Sequence, residues 1–311
     1  MTDPHAPHRA GPPHEHGPLL TLADRHEHEA EIYDAMAAAM LADWSDADHL
    51  VDPAVIPFVN REQTEYLAAV VDRVRPLAGK RILEVGAGGG SLAVWLAQQG
   101  ATVVGIDVSE GILRVARERA RVNGVADRVT FVHSPIESFS PRAAGLEHET
   151  FDAVLGSNVV HHFDRELAFD RLAGLLAPGA VAVFCEPVLF VPEWLRAARN
   201  SRLVTRRFPL HTHTPDERAL SAEDFRLMRR RFRHVEWTPF QVLCRLQNFV
   251  ELQDRTWHRL EAVDRWLLRA APWTRRISRI AVITLGLPHV DDLHTAAAPG
   301  SAPSTTTPKG R

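Results

Sequence analysis

Arg81-Ile82-Leu83-Glu84-Val85-Gly86-Ala87-Gly88-Gly89-Gly90-Ser91 is the stretch that decides the fold. A short apolar strand runs into a bend with glycine at every second position, and Leu92, Val94, Trp95 and Leu96 then continue at helical spacing. Strand, glycine bend and helix together bring backbone N–H groups up to a ligand at a sheet edge. The dinucleotide fingerprint G-x-G-x-x-G, started at Gly86, needs its third glycine where this chain has Ser91. What stands here instead is a carboxylate, Glu84, just before the first glycine. It would repel a pyrophosphate and attract a ligand carrying an ammonium and a sulfonium.

Outward from the bend, the same alternation of strand and helix repeats. Ala101 to Ile106 reads as a second strand, closed by Asp107. Ser109 is a natural N-cap with Glu110 in the first helical turn. Further strands are expected at Val129 to Val132, Phe151 to Gly156 and Ala180 to Cys185, with a helix from Asp164 to Leu176. Strands joined by helices need right-handed crossovers, hence a parallel sheet covered on both faces. Arg233 to Trp237 and Ile280 to Leu285 add a sixth and a seventh strand, and residues 240 to 278 read as helical. The fold class is α/β: a doubly wound, Rossmann-like, seven-stranded, mostly parallel sheet with helices on both faces. Ligand-binding residues are then expected just beyond the carboxyl ends of the strands.

On the N-terminal side, helices are expected at Glu27 to Met40, with Ala30, Tyr33, Met36, Ala37 and Met40 on one stripe, and at Arg61 to Val74. The organisation reads as a disordered His/Pro-rich tail over 1–26 and one folded domain over 27–290, followed by a second disordered tail over 291–311. Within the domain, N-terminal helices span 27–78, the nucleoside-binding core 79–187, and a substrate-side loop with a C-terminal helical insertion 188–290. The 311 residues are 45% hydrophobic and 24% charged, with a formal net charge of -3, so no global positive field holds a polyanion. Cys185 and Cys244 are the only two cysteines, which fits a reducing compartment. No apolar run suits a leader or a membrane span, so the expected location is cytoplasmic. The histidines of the first tail carry no ligand spacing, and no metal is assigned.

Asp107, nineteen positions after Gly88, stands where an acid accepts hydrogen bonds from both hydroxyls of a ribose. With Glu84 to Gly90, Asp107-Val108-Ser109 and Phe151-Asp152-Ala153-Val154, the chain resembles the class I S-adenosylmethionine-dependent methyltransferases, in particular the small-molecule, ubiquinone-biosynthesis-like type. The resemblance implies S-adenosyl-L-methionine as cofactor. It implies that Glu84, Gly86, Ala87, Gly88 and Gly90 surround the methionine part, that Asp107 holds the ribose, and that Val108, Ile136 and Ser157 lie near the adenosyl group. Relatives carry Asp-Ala-Glu after the third strand, whereas Ser134-Pro135-Ile136-Glu137 stands here, so adenine recognition falls to backbone at Ile136 or to Ser134. Tyr33-Asp34 is similar to a Tyr-Asp pair whose Tyr closes over the methionine carboxylate.

Methyl transfer needs alignment and water exclusion more than side-chain chemistry, but a hydroxyl or amine acceptor gains from a base. His161 and His162, in Ser157-Asn158-Val159-Val160-His161-His162-Phe163, are the candidate catalytic residues, one facing the methyl group and one packing. The long stretch after Glu186-Pro187 adds His211, His213, Thr214, Asp216 and Glu217 as acceptor-side candidates. Nucleic acid is disfavoured as an acceptor, because the Pro-Pro-aromatic platform used to stack a flipped base is replaced by Val159-Val160. The expected partner is a small-molecule or lipid-like acceptor methylated at O, N or C. Trp266 to Arg279 mixes apolar anchors with arginine and leaves peripheral membrane contact open. An NAD-dependent oxidoreductase and a non-catalytic nucleoside-binding protein are the alternative functions at this level, and the sequence does not decide the oligomeric state.

Overall fold

The computed structural model describes residues 21–57, 63–190, 219–244, 246 and 252–288. Its elements are α1 (Leu22–Ala42), α2 (Thr64–Asp72), β1 (Arg81–Val85), α3 (Ser91–Gln98), β2 (Thr102–Asp107), α4 (Glu110–Val122), β3 (Val129–His133) and β4 (Phe151–Ser157). They continue with α5 (Arg165–Leu175), β5 (Leu176–Pro187), α6 (Ala222–Arg231), β6 (Phe232–Phe240), α7 (Asp254–Ala270) and β7 (Ile280–Pro288). The seven strands form one sheet in the order β3-β2-β1-β4-β5-β7-β6. The pairs among β1 to β5 are parallel, while β7 runs antiparallel to both β5 and β6. This is the doubly wound, mostly parallel sheet expected from the alternation of strands and helices.

Successive residues of the central strands feed opposite faces, as the pleat requires. Ile82 and Val103 join α2 and α3 in one core through Leu67, Val70, Trp95 and Leu96. Leu83, Val85, Val104 and Ile106 join α5 and α6 in the other through Phe169, Leu172, Phe225 and Met228. Strand order reverses between β1 and β4, where Val85 pairs with Ile106 on one side and Gly156 on the other. The crevice that such a reversal opens lies at the carboxyl ends of these strands.

Helix α1 begins at Leu22, inside the stretch expected to be tail, because Thr21 and Asp24 close a capping box. The consequence is that His26 and Glu29 belong to an ordered helix beside the crevice. The expected apolar stripe is narrower than its spacing suggests: Ala37 is buried against Ile112 and Val115, while Tyr33 and Met36 are exposed. Polar contacts hold α1 in addition to the apolar ones of its buried stripe. Asp34 Oδ1 accepts from Ser109 Oγ at 2.6 Å and from the Gly111 N–H at 2.7 Å, at the N-terminus of α4. These bonds, the Ser109 hydroxyl first, hold the Asp34 carboxyl below its ordinary range. Asp34→Ala is therefore expected to lower stability by about 1–2 kcal/mol in urea titrations at neutral pH. Because the folded pKa is depressed, the contribution is present above the unfolded value and fades as pH falls through the folded one. A difference between variant and wild type that persists unchanged at pH 2 would contradict it.

Residues 240–278 are not one helical stretch. Gln241 has φ +59, and α7 starts only at Asp254. Asp264 in α7 anchors the bend after Gln241, its carboxylate accepting from the N–H groups of Val242, Leu243 and Cys244 at 2.9, 2.7 and 3.1 Å.

Candidate functional site

The glycine bend takes its shape from backbone conformations open mainly to glycine. Gly86 sits at φ +70, and a Cβ there would run into Val159 Cγ1, so a side chain would push the β4 loop off the bend. Gly88 sits at φ +50 facing open space, which leaves its backbone free to approach a ligand. Its N–H donates to Asp107 Oδ2 at 2.9 Å, while the Ser109 N–H donates to Asp107 Oδ1 at 3.0 Å. Bend and second acid are thereby locked together at the point of strand reversal. Gly90 is the N-cap residue of α3.

Glu84 lies beneath this lock, 5% exposed. Among the described residues its Oε2 has no hydrogen-bond partner. Burial, reinforced by repulsion from Asp107 and opposed by the Ala93 N–H, pushes its carboxyl up to about 8. Asp107 is also raised, chiefly by burial, with the Ser109, Gly88 and Val108 N–H groups opposing. A buried acid with an oxygen that lacks a partner among the described residues, set behind a half-buried one on the crevice wall, makes a negative site that a cationic ligand would relieve. The donor set thus fits an adenosyl group with an attached ammonium.

The crevice itself is walled by Gly86, Asp107, Val108 and Ile136 on the sheet side, with Ser134, Pro135 and Glu137 from the loop after β3. Val159, His162 and Phe163 close it from the β4 side, and His26 and Glu29 of α1 stand across it. Of the residues singled out from sequence, it gathers Gly86, Asp107, Val108, Ile136 and His162. Glu84, Ala87, Gly88 and Gly90 lie in or under the bend without lining this cavity. Ser157 ends β4 opposite Cys185, and Tyr33 stands exposed on α1, so neither is on the crevice wall. His211, His213, Thr214, Asp216 and Glu217 lie outside the described residues. The cavity encloses only about 50 Å³. That is small beside the roughly 300–1,000 Å³ of a small-molecule site.

The two adjacent histidines point to different partners. His161 Nδ1 lies 2.9 Å from Glu186 Oε2. The other oxygen of Glu186 accepts from the Val159 and Val160 N–H groups at 2.8 and 2.9 Å, so this fully buried carboxylate clamps the loop after β4. His162 lines the crevice, with its Nδ1 3.5 Å from Glu29 Oε2, and its ring stacks at a tilt on His161 at 4.2 Å. Across the cavity, Glu137 Oε1 accepts from the Asp164 N–H at 2.8 Å, and its Oε2 lies 3.8 Å from His26 Nε2. Burial raises Glu137 and lowers His26, so each favours its neutral form. Sequence reasoning missed His26, Glu29, Glu137 and Glu186. Only the capping box at Thr21 could have flagged the first two, because the last two act through contacts distant in the chain.

Comparison with known proteins gives a consistent picture. A family profile described as a methyltransferase domain matches residues 83–184. A ubiquinone biosynthesis O-methyltransferase of Ruegeria pomeroyi is 33% identical over 193 residues, covering 58% of this chain and 75% of that protein. The enzyme of the same description from Dinoroseobacter shibae is 34% identical over 193 residues, with the same coverage. Among solved structures, a phosphoethanolamine N-methyltransferase of Haemonchus contortus shares the fold at TM-score 0.51 and 16% identity, over 87% of this chain and 61% of its own. The cyclase SpnF does so at TM-score 0.52 and 18% identity, over 85% and 97%. A cyclase on this framework shows that the fold alone does not fix the chemistry.

Proposed function

The chain belongs to the class I S-adenosylmethionine-dependent methyltransferases, and from that premise we propose that it methylates a hydroxyl oxygen of a small, lipid-like metabolite with His162 as the general base. The observation that carries this reading is the imidazole of His162 on the wall of the same crevice that Gly86, Asp107 and Val108 line. The O-methyltransferase names of the relatives support oxygen as the acceptor atom.

S-Adenosylmethionine, when bound, supplies a methyl group already activated by its sulfonium. The chain's part is to hold, align and deprotonate. Asp107 would accept from the ribose hydroxyls, Glu84 would offset the ammonium charge, Gly86, Ala87, Gly88 and Gly90 would keep backbone at the methionine end, and Val108 and Ile136 would hold the adenine. Ser157 beside the adenosyl group and Tyr33 over the methionine carboxylate rest on the resemblance alone and, like Glu84, Ala87, Gly88 and Gly90, do not line the cavity. His26 and Glu29, on the first turns of α1, stand across the crevice and would meet an entering ligand. His162 would accept the acceptor's hydroxyl proton on its imidazole and later pass it to solvent. His161 is a positioning residue: Glu186 fixes its ring, and its ring supports that of His162. Two buried, unbridged cysteines support a reducing, cytoplasmic setting.

The test is incubation with methyl-labelled S-adenosylmethionine and a cell extract, followed by mass spectrometry of newly labelled compounds. A labelled methyl ether is expected; label on nitrogen or carbon, or none, overturns the reading. Against the acceptor so found, His162→Ala is expected to lower kcat by about 10²–10⁴ with cofactor affinity retained. Glu186→Gln should shift the pH–rate profile while KM for the cofactor stays put. A His162→Ala enzyme of undiminished kcat would remove the base from this assignment.

A further inference from the structure

Helix α7 and the turn Pro272–Ile277 that follows it carry an unusual outer face. Trp266 is 64% and Trp273 69% exposed, flanked by Val263 and Ile277 at 42% and 43%. Large aromatics of this kind normally reach a core or an interface. Here the inward face is already filled, by Trp257 and Asp264 in the helix and by Thr274 and Ser278 in the turn. The outward tryptophans therefore add nothing to the packing beneath them.

Charge is sorted in the same way. Between Asp254 and Ile277 the sequence has six arginines against three carboxylates, a local net charge of +3 on a chain of net charge -3. Asp264 is turned inward onto the Val242, Leu243 and Cys244 N–H groups. Glu261 lies 3.0 Å from His258. Arg255, Arg259, Arg269, Arg275 and Arg276 are exposed around the tryptophans. Aromatic anchors with an arginine rim are the composition of an interfacial helix. No described helix is long and apolar enough to cross a membrane, so the element would lie on the surface.

We propose that the face formed by Val263, Trp266, Trp273 and Ile277 docks on a membrane surface containing anionic phospholipid. Its place in the fold gives the docking a use. The turn leads directly into β7, whose first residue Ile280 pairs with Pro187, and the Arg279 carbonyl accepts from the Val188 N–H at 2.9 Å. That is the carboxyl edge of β5, where Glu186 holds His161. The face thus flanks the sheet edge that bears the crevice, as an enzyme taking a lipid-like acceptor from a bilayer requires. Only this last step rests on the proposed acceptor; the docking itself stands on α7. A second copy is a poorer occupant, because a two-fold contact would set this +3 face against itself.

The full-length protein is tested by co-sedimentation with vesicles of phosphatidylcholine alone and with about one-third phosphatidylglycerol. Binding is expected to the second only, weakening as salt rises. The double variant Trp266→Ala/Trp273→Ala should lose at least about tenfold in vesicle affinity, and Arg275→Glu/Arg276→Glu should lose the preference for anionic lipid. Both variants should keep wild-type melting and S-adenosylhomocysteine affinity, since none of these residues is in the crevice. Absence of binding at low salt, or undiminished binding by both variants, overturns the proposal. So does light scattering that finds a wild-type dimer and a monomeric double variant, which would make the face a contact between copies. No arm reads methyl transfer, so failure of the docking and failure of the proposed acceptor are separate results.

Discussion

Replacing Glu84 with glutamine is expected to stabilise the ligand-free protein at neutral and alkaline pH and, in the same molecule, to weaken binding of S-adenosylmethionine. The carboxyl is 5% exposed, faces a second acid and is pushed up to about 8. A folded pKa above the unfolded one means the group's contribution is fully present below the unfolded value near 4.5 and is lost as pH rises to about 8. At pH 7 folding therefore works against a carboxyl that would ionise in the unfolded chain, at a cost on the order of 3 kcal/mol. Glutamine does not carry that cost, although its amide must still find partners, so a gain of about 1–2 kcal/mol is the reasonable expectation. Binding should respond in the opposite sense. An ammonium beside Glu84 favours the ionised form, so the cofactor enters wild type with release of up to one proton, and affinity rises with pH towards about 8. Calorimetry at pH 7 in buffers of different ionisation enthalpy counts that proton. Equal proton release by wild type and Glu84→Gln would mean that Glu84 does not meet the ligand's positive charge.

What the sequence could and could not convey follows from the range of the interactions. The bend from Glu84 to Gly90, the cap at Ser109 and the acid at Asp107 are local: each is a residue type demanded by its own backbone position, and each lies where its pattern put it. Helix α1 was harder, because a histidine-rich composition outweighed the capping box at Thr21 and moved the expected start past His26. Adjacent His161 and His162 were indistinguishable by pattern. They are adjacent in one short 3-10 turn, and the group that sorts them, Glu186, comes from β5, 25 residues on. The break after β6 had the same origin, since nothing near Gln241 announces that Asp264 will capture three backbone N–H groups from another element. Contacts within a few residues were legible; contacts between elements, which the sheet order alone creates, were not.

Asp107→Ala should produce the larger loss of cofactor affinity, about 1.5–3 kcal/mol, because a charge-assisted pair of hydrogen bonds to the ribose disappears. Two further effects separate this role from a structural one. The carboxylate accepts from the Gly88 and Ser109 N–H groups, so its removal also loosens the bend, and melting of the ligand-free protein should fall. Asp107→Asn, which keeps one of the two acceptor oxygens, should recover only part of that melting and little of the affinity. The second effect runs through Glu84. Asp107 is the largest cause after burial of the raised Glu84 carboxyl, so its loss should lower that carboxyl and reduce the proton released on binding at pH 7. The two acids are therefore coupled, and the affinity losses of Glu84→Gln and Asp107→Ala should not add in the double variant. Strict additivity, with unchanged proton release in Asp107→Ala, would mean that the acids act at separate places and do not form one electrostatic floor beneath the cofactor.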